Sequence, residues 1–231
     1  MRPQTLKTRG IHVGVRFAPP AAMDKRQKQT FQRRANEGFD WQRQEFSQNV
    51  WRLLSPQSDG DRRSSLKFSV QRDGFNFEDA FPTSAPDVFF DNLRMAMDVV
   101  GDVFDPKVMV GTGAVIRMTA QSDPDDARLF LAGKCLKLDD RLVPLGRPIH
   151  GVGLSMLLPP LPGEGQPNWQ ATVKIETLIE DVRQLFIEVD ARWGVPAAWD
   201  AKTVIDRVQI AQDFTTHQVS AFLVKLGQPE T

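Results

Sequence analysis

Three histidines are the side chains in this chain best suited to acid–base or metal chemistry near neutral pH. His12, His150 and His217 lie far apart in the sequence, without the short paired spacing that metal sites use. His12 and His150 each fall in a strand predicted to open one half of the chain, so an enzyme would require them to meet in one pocket. We favour structural or solvated roles for all three, with His217 hydrogen-bonded on the apolar side of a helix.

Two acidic clusters offer carboxylates to a hard cation, at Asp123, Asp125 and Asp126 and at Asp139 and Asp140. Aspartate at a helix start also satisfies free backbone N–H groups without any metal, and the spacing of a calcium-binding loop is absent. We therefore predict no metal site and no cofactor.

The single cysteine, Cys135, excludes an intramolecular disulfide and favours a reducing, cytoplasmic setting. It sits between Lys134 and Lys137 without an activating base in the sequence, so we predict a packing role. Residues 1–10 lack the apolar stretch of a signal peptide, and no apolar run is long enough for a membrane span.

Glycine-containing stretches that resemble catalytic or phosphate-binding motifs occur in the wrong context. Gly111-Thr112-Gly113 lacks a third glycine and falls inside a predicted strand, and residues 151–155 miss the order of a nucleophile elbow. Close backbone packing is the favoured explanation of both. With no catalytic residues predicted, the chain is expected to be non-enzymatic.

Charge is unevenly divided along the chain. Residues 1–80 carry 15 Lys and Arg against 9 Asp and Glu, whereas residues 81–231 carry 14 against 20. A basic segment at 25–34 could contact phosphates, with Phe31, Trp41 or Trp51 offering stacking. A solvated helix face is the alternative. The cationic candidates are Lys25, Arg26, Lys28, Arg33, Arg34, Arg62 and Arg63.

A proline-rich stretch at 159–168 follows a predicted strand. Pro159 and Pro162 have the spacing of a minimal polyproline ligand, and a rigid hairpin loop explains them equally simply. If this loop protrudes, it could contact a partner chain.

Alternating apolar residues predict strands at 11–17, 66–71, 169–176 and 185–193, and helical spacing predicts helices at 23–38, 84–104 and 200–226. One bent strand is predicted over 41–54, a surface loop over 55–65, and a short helix within 121–132. Strands covered on both faces are predicted at 107–119 and 149–158.

Two finer predictions concern strand register. An Asp73-Gly74 turn would place Val70 opposite Phe77. An odd-length turn centred near Asp181 would place Lys174 opposite Glu188 and Trp169 opposite Trp193.

This order predicts an α+β fold with a mixed or largely antiparallel sheet and helices on one side. It also indicates two pseudo-repeated halves, each of strand, helix, three strands and helix. We expect a basic half at 1–105 and an acidic half at 106–231, packed as one compact unit.

One stretch runs from Gly74 through residues 86–100 and 108–118. Another is the strand 185–190, which ends in Asp190 and precedes a helix with His217 and Phe222. Together these two stretches resemble a sporadically distributed bacterial family of uncharacterised proteins. The resemblance covers about two thirds of the chain. Ile116-Arg117-Met118 departs from the Arg-Tyr-Asn-like ending of that family's central strand. The resemblance implies a fold rather than an activity.

The sequence therefore predicts an interaction or assembly subunit of a soluble bacterial complex, with a protein partner or a second copy as its ligand. The alternative is a nucleic-acid-binding protein, associated with RNA processing or defence, that uses residues 25–34. No membrane partner is expected.

Overall fold

The computed structural model describes residues 1–59, 62–138, 146–163 and 167–228, with the side chains of 56–59 and 62–64 outside this description. The strands are β1 (Lys7–Ala18), β2 (Arg43–Phe46), β3 (Val50–Asp59), β4 (Arg62–Gln71), β5 (Gly74–Ala80), β6 (Val108–Gln121), β7 (Gly153–Leu158), β8 (Gln170–Thr177), β9 (Gln184–Trp193) and β10 (Ala197–Ala198). The α-helices are α1 (Lys25–Gly38), α2 (Pro86–Phe104), α3 (Ala127–Leu129), α4 (Ala201–Asp213) and α5 (Ser220–Leu226). A π-helical segment, Phe130–Cys135, continues α3, and another, Phe214–Val219, joins α4 to α5.

Within the described residues, ten strands form one open antiparallel sheet in the order β2-β3-β4-β5-β1-β6-β9-β8-β7, with β10 paired to β6. The predicted α+β class is confirmed. No helix in the described part of the chain is long and apolar enough to cross a membrane.

Two compact units interleave along the sequence. Unit 1 comprises Met1–Arg9, Ile116–Ala191 and Ile210–Thr231, and unit 2 comprises Gly10–Val115 and Arg192–Gln209. Each unit is described separately below.

In unit 2, one face of the sheet is buried, and the odd-numbered residues of β1 lie on this face. Ile11, Val13, Val15 and Phe17 are buried, as their alternation predicts. Phe31 of α1 is fully buried against this face. Its ring lies 5.4–6.4 Å from the rings of Trp51, Phe68, Phe104 and Phe46.

The two long helices of unit 2 begin in different ways. Asp24 accepts a hydrogen bond from the Gln27 amide while the Gln27 side chain accepts one from the Asp24 amide, so α1 starts with a reciprocal cap. The second helix, predicted over 84–104, begins two residues later, with Ala85 at the capping position without a side-chain bond and Pro86 as the first helical residue.

The hairpins of unit 2 differ from the sequence prediction. Residues 41–54 form two strands, β2 and part of β3, with Ser47 binding the Val50 carbonyl in the turn between them. The predicted loop over 55–65 is wrong because β3 and β4 continue through most of it. Val70 lies opposite Phe75, two residues away from the predicted Phe77, because the two-residue turn is Arg72-Asp73.

In unit 1, β8 and β9 show the predicted alternation, with odd-numbered residues buried. The Leu178 amide donates to the Gln184 carbonyl at 2.9 Å, and Lys174 Nζ lies 3.6 Å from Glu188 Oε1. These contacts support the predicted register in this part of the hairpin. Trp169 packs edge-on against Phe214 at 5.2 Å.

Two strands predicted to be covered on both faces are more open. In β6 the side chains alternate, and Val108 and Val110 are exposed. The segment 149–158 becomes a strand only from Gly153, and its side chains are largely exposed because β7 lies at the edge of the sheet. The helix predicted within 121–132 begins after Asp126, which caps it.

Candidate functional site

Two of the basic residues of α1 are held in ion pairs within the fold. Arg33 Nη1 lies 2.9 Å from Glu37 Oε1, and Arg34 binds both Glu37, at 2.6 Å, and Asp102. These carboxylates raise the pKa of Arg34, and Arg34 lowers the pKa of Glu37. The charges of Arg33 and Arg34 are therefore balanced by the carboxylates of Glu37 and Asp102.

The aromatic residues predicted to offer stacking beside the remaining cations of this segment are buried. Lys25 and Arg26 are exposed, and Lys28 Nζ sits 4.6 Å from the centre of the Phe46 ring. Phe31, Trp41 and Trp51, the predicted stacking residues, are all buried in the core of unit 2. That part of the nucleic-acid prediction is wrong because these rings supply packing area instead.

Arg62 and Arg63 belong to β4, where their backbones lie opposite Asp59 and Ser58 of β3. Their side chains lie outside the described residues. Their predicted participation in a cationic surface therefore stays a prediction.

The first acidic cluster serves local structure. Asp126 caps α3 and binds Arg128 at 2.7 Å, which lowers the pKa of the Asp126 carboxyl. Asp125 lies 3.0 Å from Arg2. Asp139 and Asp140 lie outside the described residues, and no cluster of three or more metal-ligating side chains occurs in the described ones.

Cys135 is half-buried in unit 1, beside a surface cleft also lined by Lys134, Lys137, Phe222 and Lys225. Burial raises the pKa of its thiol, so the thiol stays protonated at neutral pH. This environment is opposite to the one that activates a nucleophilic cysteine.

The histidines occupy three different settings. His150 is exposed in unit 1. His217 is also exposed, and its Nδ1 lies 3.0 Å from the Asp213 carbonyl, so the predicted packing position is wrong although the predicted hydrogen bond is present. His12 lies on the face of the unit 2 sheet opposite the buried residues of β1, which we call the open face. Its Nε2 lies 3.2 Å from Asn76 Oδ1, and its Nδ1 lies 3.9 Å from Glu78 Oε2.

Polar side chains surround His12 on this open face. Lys67 Nζ lies 3.9 Å from the same Glu78 oxygen, and a shallow cleft of about 180 Å³ opens beside these residues, lined also by Arg52 and Ser69. A second, larger cleft of about 460 Å³ shares Gln71 and Asn76 with the first. The open face of unit 2 therefore carries two adjoining depressions.

Strand β7 of unit 1 is the second candidate region. It ends the sheet and carries no charged residue. Leu157 is 64% exposed, and Leu158 is also exposed. The opposite edge strand, β2, carries Arg43 and Glu45, charges of the kind that discourage edge-to-edge pairing.

The direction of the backbone groups of β7 follows from its pairing with β8. The Thr177 amide donates to the Val152 carbonyl at 2.9 Å, and the strands pair with Gly153 opposite Glu176. Because bonded and non-bonded pairs alternate along antiparallel strands, alternate residues of β7 direct their N–H and C=O groups away from β8. These residues are Gly153, Ser155 and Leu157.

Further exposed apolar residues flank β7. Pro159, Pro162 and Leu161 follow the strand and are exposed. At the other end, Ile179 is 55% exposed and lies beside Gly151. Sequence patterning missed this surface because an apolar run gives no information about whether its strand lies inside a sheet or at its edge.

Comparison with protein-family models finds none that matches the chain, and comparison with curated proteins finds no match either. Asp190 on β9, His217 in the π-helical segment and Phe222 on α5 carry the family resemblance, which stays a prediction. The functional argument therefore depends on the geometry of the two candidate regions.

Proposed function

We propose that the chain is a non-enzymatic assembly subunit, which binds a second copy of itself through the free edge of β7. The observation that carries this proposal is an uncharged edge strand with exposed Leu157 and Leu158. Unprotected edges of this kind pair readily with another strand. A bacterial cytoplasmic setting and an oligomeric state are parts of the same proposal.

A second copy suits this edge because the edge is self-complementary. Two β7 strands related by a two-fold axis at Ser155 would place Gly153 opposite Leu157 and Leu154 opposite Met156. Every pair is uncharged, so the pairing avoids repulsion, and the outward backbone groups of both strands would satisfy one another. Two-fold closure also leaves no further copy of this edge free.

The apolar residues around β7 add to this interface. Leu157, Leu161 and Ile179 are each more than half exposed, and each would lose contact with water at or near the pairing surface. An isolated peptide strand would cover the backbone groups of β7 but would bring no second set of these side chains.

The test is the mass of the protein in solution, measured by light scattering during gel filtration at several concentrations. We expect a particle of twice the 26.0 kDa chain mass. Ser155→Pro removes an outward N–H without removing a bond to β8, and proline is tolerated on edge strands, so this variant should be monomeric. Ser155→Ala retains the N–H and should remain a dimer.

Leu157→Lys provides a second disruption, since it places two like charges in the interface. Circular dichroism and thermal unfolding establish that each variant is folded. A monomeric wild-type protein at high concentration and low salt, or a dimer that survives Ser155→Pro unchanged, contradicts the proposal.

A further inference from the structure

The surface cleft beside Cys135 in unit 1 has a volume of about 930 Å³, which is large enough for a small organic molecule. Two segments line it. One is 133–135, at the end of the first π-helical segment, and the other is 222–228, at the end of α5. Lys134 connects the two segments, because its Nζ donates to the Gly227 carbonyl at 3.2 Å.

Both segments belong to helices with uncommon backbone. Residues 130–135 are π-helical, and α5 continues directly from the π-helical segment Phe214–Val219. Such turns are rare and occur frequently at functional sites. The backbone therefore supports a binding role for this end of unit 1.

The charged side chains that line the cleft are all cationic. They are Lys134, Lys137 and Lys225, and no carboxylate from the described part of the chain lines it with them. Lys137 has an interaction of its own. The positive charge available to a ligand therefore comes from Lys134 and Lys225.

Neither of these two lysines is neutralised by a carboxylate. Lys225 is exposed and forms no ion pair or hydrogen bond with residues that the structure describes. Lys134 is exposed too, and its partner is the neutral Gly227 carbonyl. Because a lysine ammonium has three N–H donors, Lys134 retains two for a ligand. Both ammonium groups can therefore donate to an anion in the cleft.

The carbonyl groups at the end of α5 are already bonded within the fold. The Gly227 amide donates to the carbonyls of Leu223 and Val224, and Lys134 donates to the Gly227 carbonyl. Bonded carbonyls weaken the negative potential of a helix end and leave few acceptors for a ligand. The cleft therefore favours a ligand whose polar group accepts hydrogen bonds and whose remainder needs no acceptor.

Apolar surface accompanies the lysines. Phe222 is exposed, Leu226 is half-buried, and the aliphatic stems of the lysines add methylene groups. Burial raises the pKa of the Cys135 thiol, so the thiol is uncharged at neutral pH and behaves as a small apolar group. The cleft thus combines cationic donors with an apolar wall.

We infer that this cleft binds an amphipathic carboxylate, with one anionic head on an alkyl chain, of which a fatty acid is the simplest example. The head lies at Lys134 and Lys225, and the chain lies along Phe222 and Leu226, beside Cys135. A nucleotide or a peptide would bring N–H and O–H donors that this surface leaves unpaired. An alkyl chain brings none.

The test uses Cys135 as a reporter of the cleft, since it is the only cysteine of the chain. Dodecanoate, kept below its micelle concentration, should slow the alkylation of Cys135 at pH 8.5 in a saturable manner. Dodecyltrimethylammonium, which has the same chain and the opposite charge, should give little protection. Calorimetric titration of the full chain with both probes measures the affinity independently of the thiol.

Variants of the cleft test the two parts of the ligand. Lys225→Met keeps an apolar side chain and removes the charge, so it should weaken dodecanoate binding about three- to tenfold. Phe222→Ala should also weaken it, because it removes apolar contact area. Lys174→Gln, in the same unit but paired with Glu188, is the matched control and should leave the affinity unchanged. Thermal unfolding establishes that each variant is folded.

Absence of saturable protection or calorimetric binding by dodecanoate up to about 1 mM overturns the inference. Equal protection by dodecyltrimethylammonium also overturns it, as does equal weakening in Lys174→Gln and Lys225→Met. None of these results bears on the β7 interface, because the mass measurement and Ser155→Pro test that proposal separately.

Discussion

Asp79 lies directly opposite Ile11 in the pairing of β5 with β1, and directly opposite Leu66 in the pairing of β5 with β4. A carboxyl group thus occupies the dry face of the sheet between two buried apolar residues. Asp79 is only 7% exposed, and no described residue forms a hydrogen bond or ion pair with its carboxylate. Burial raises the pKa of Asp79 from an ordinary 3.8 to about 6.

This carboxyl should make the stability of the protein depend on pH. The folded state holds the Asp79 proton more tightly than the unfolded state, so the neutral carboxyl has its least destabilising effect below about pH 4. As the pH rises through about 6, the free energy of unfolding should fall by up to about 3 kcal/mol because the buried group must ionise.

The measurement is urea unfolding of the wild type and Asp79→Asn between pH 4.5 and 8, a window that contains the raised pKa of about 6. The difference in unfolding free energy should shift in favour of Asp79→Asn as the pH rises. Asp98→Asn, on the exposed face of α2, is the control and should follow the wild type. Parallel curves for Asp79→Asn and the wild type would contradict this account.

Phe31 should be a main determinant of the stability of unit 2. It is fully buried, and its ring contacts aromatic rings of both the sheet and α2. Phe31→Ala should lower the free energy of unfolding by about 3–5 kcal/mol, since it leaves a cavity among rings that cannot collapse freely. Phe31→Leu should lower it less, and a negligible effect of Phe31→Ala would refute this packing argument.

The ion pair between Lys174 and Glu188 should be weak. Lys174 is 47% exposed, and Glu188 also binds Arg117 at 2.9 Å. Lys174→Gln should therefore change the free energy of unfolding by less than about 1 kcal/mol. Lys174→Glu should destabilise more than Lys174→Gln, because it places two carboxylates side by side, and thermal unfolding at low and high salt measures the difference.

The Cys135 thiol should react slowly in the folded protein. Burial raises its pKa, so the reactive thiolate is scarce at neutral pH. Alkylation at pH 7 should be slower in the native protein than in the urea-unfolded protein, and the native rate should keep rising above pH 9. Faster alkylation of the native protein would indicate an activated cysteine.

The sequence predicts elements well where one face of a strand or helix is dry. Val13 and Ile187 are buried as expected, because the alternation of apolar and polar residues follows from the burial of one face of a strand. The α1 helix begins directly after its cap at Asp24. The sequence fails where a polar segment continues a strand, as in β3 and β4, because backbone hydrogen bonding across a hairpin leaves no apolar signal.

The candidate sites were less predictable for a related reason. The exposure of Leu157 depends on which strand ends the sheet, and the cleft beside Cys135 is lined by two segments that lie far apart in the sequence. The basic residues of α1 were visible in the sequence, but Asp102, which neutralises Arg34, is 68 residues away. Contacts between residues that lie far apart in the sequence therefore determine which of the candidate residues remain accessible.

The prolines that follow β7 determine how long an added strand can be. Pro159 and Pro160 lack the N–H groups that would extend the ladder, so Leu157 is the last residue of β7 that offers a partner strand an outward N–H group. Extension of the ladder along the strand beyond Leu158 is limited by covalent structure rather than by charge. The hydrogen-bonding length that this edge offers is therefore short and has a fixed end at Leu158.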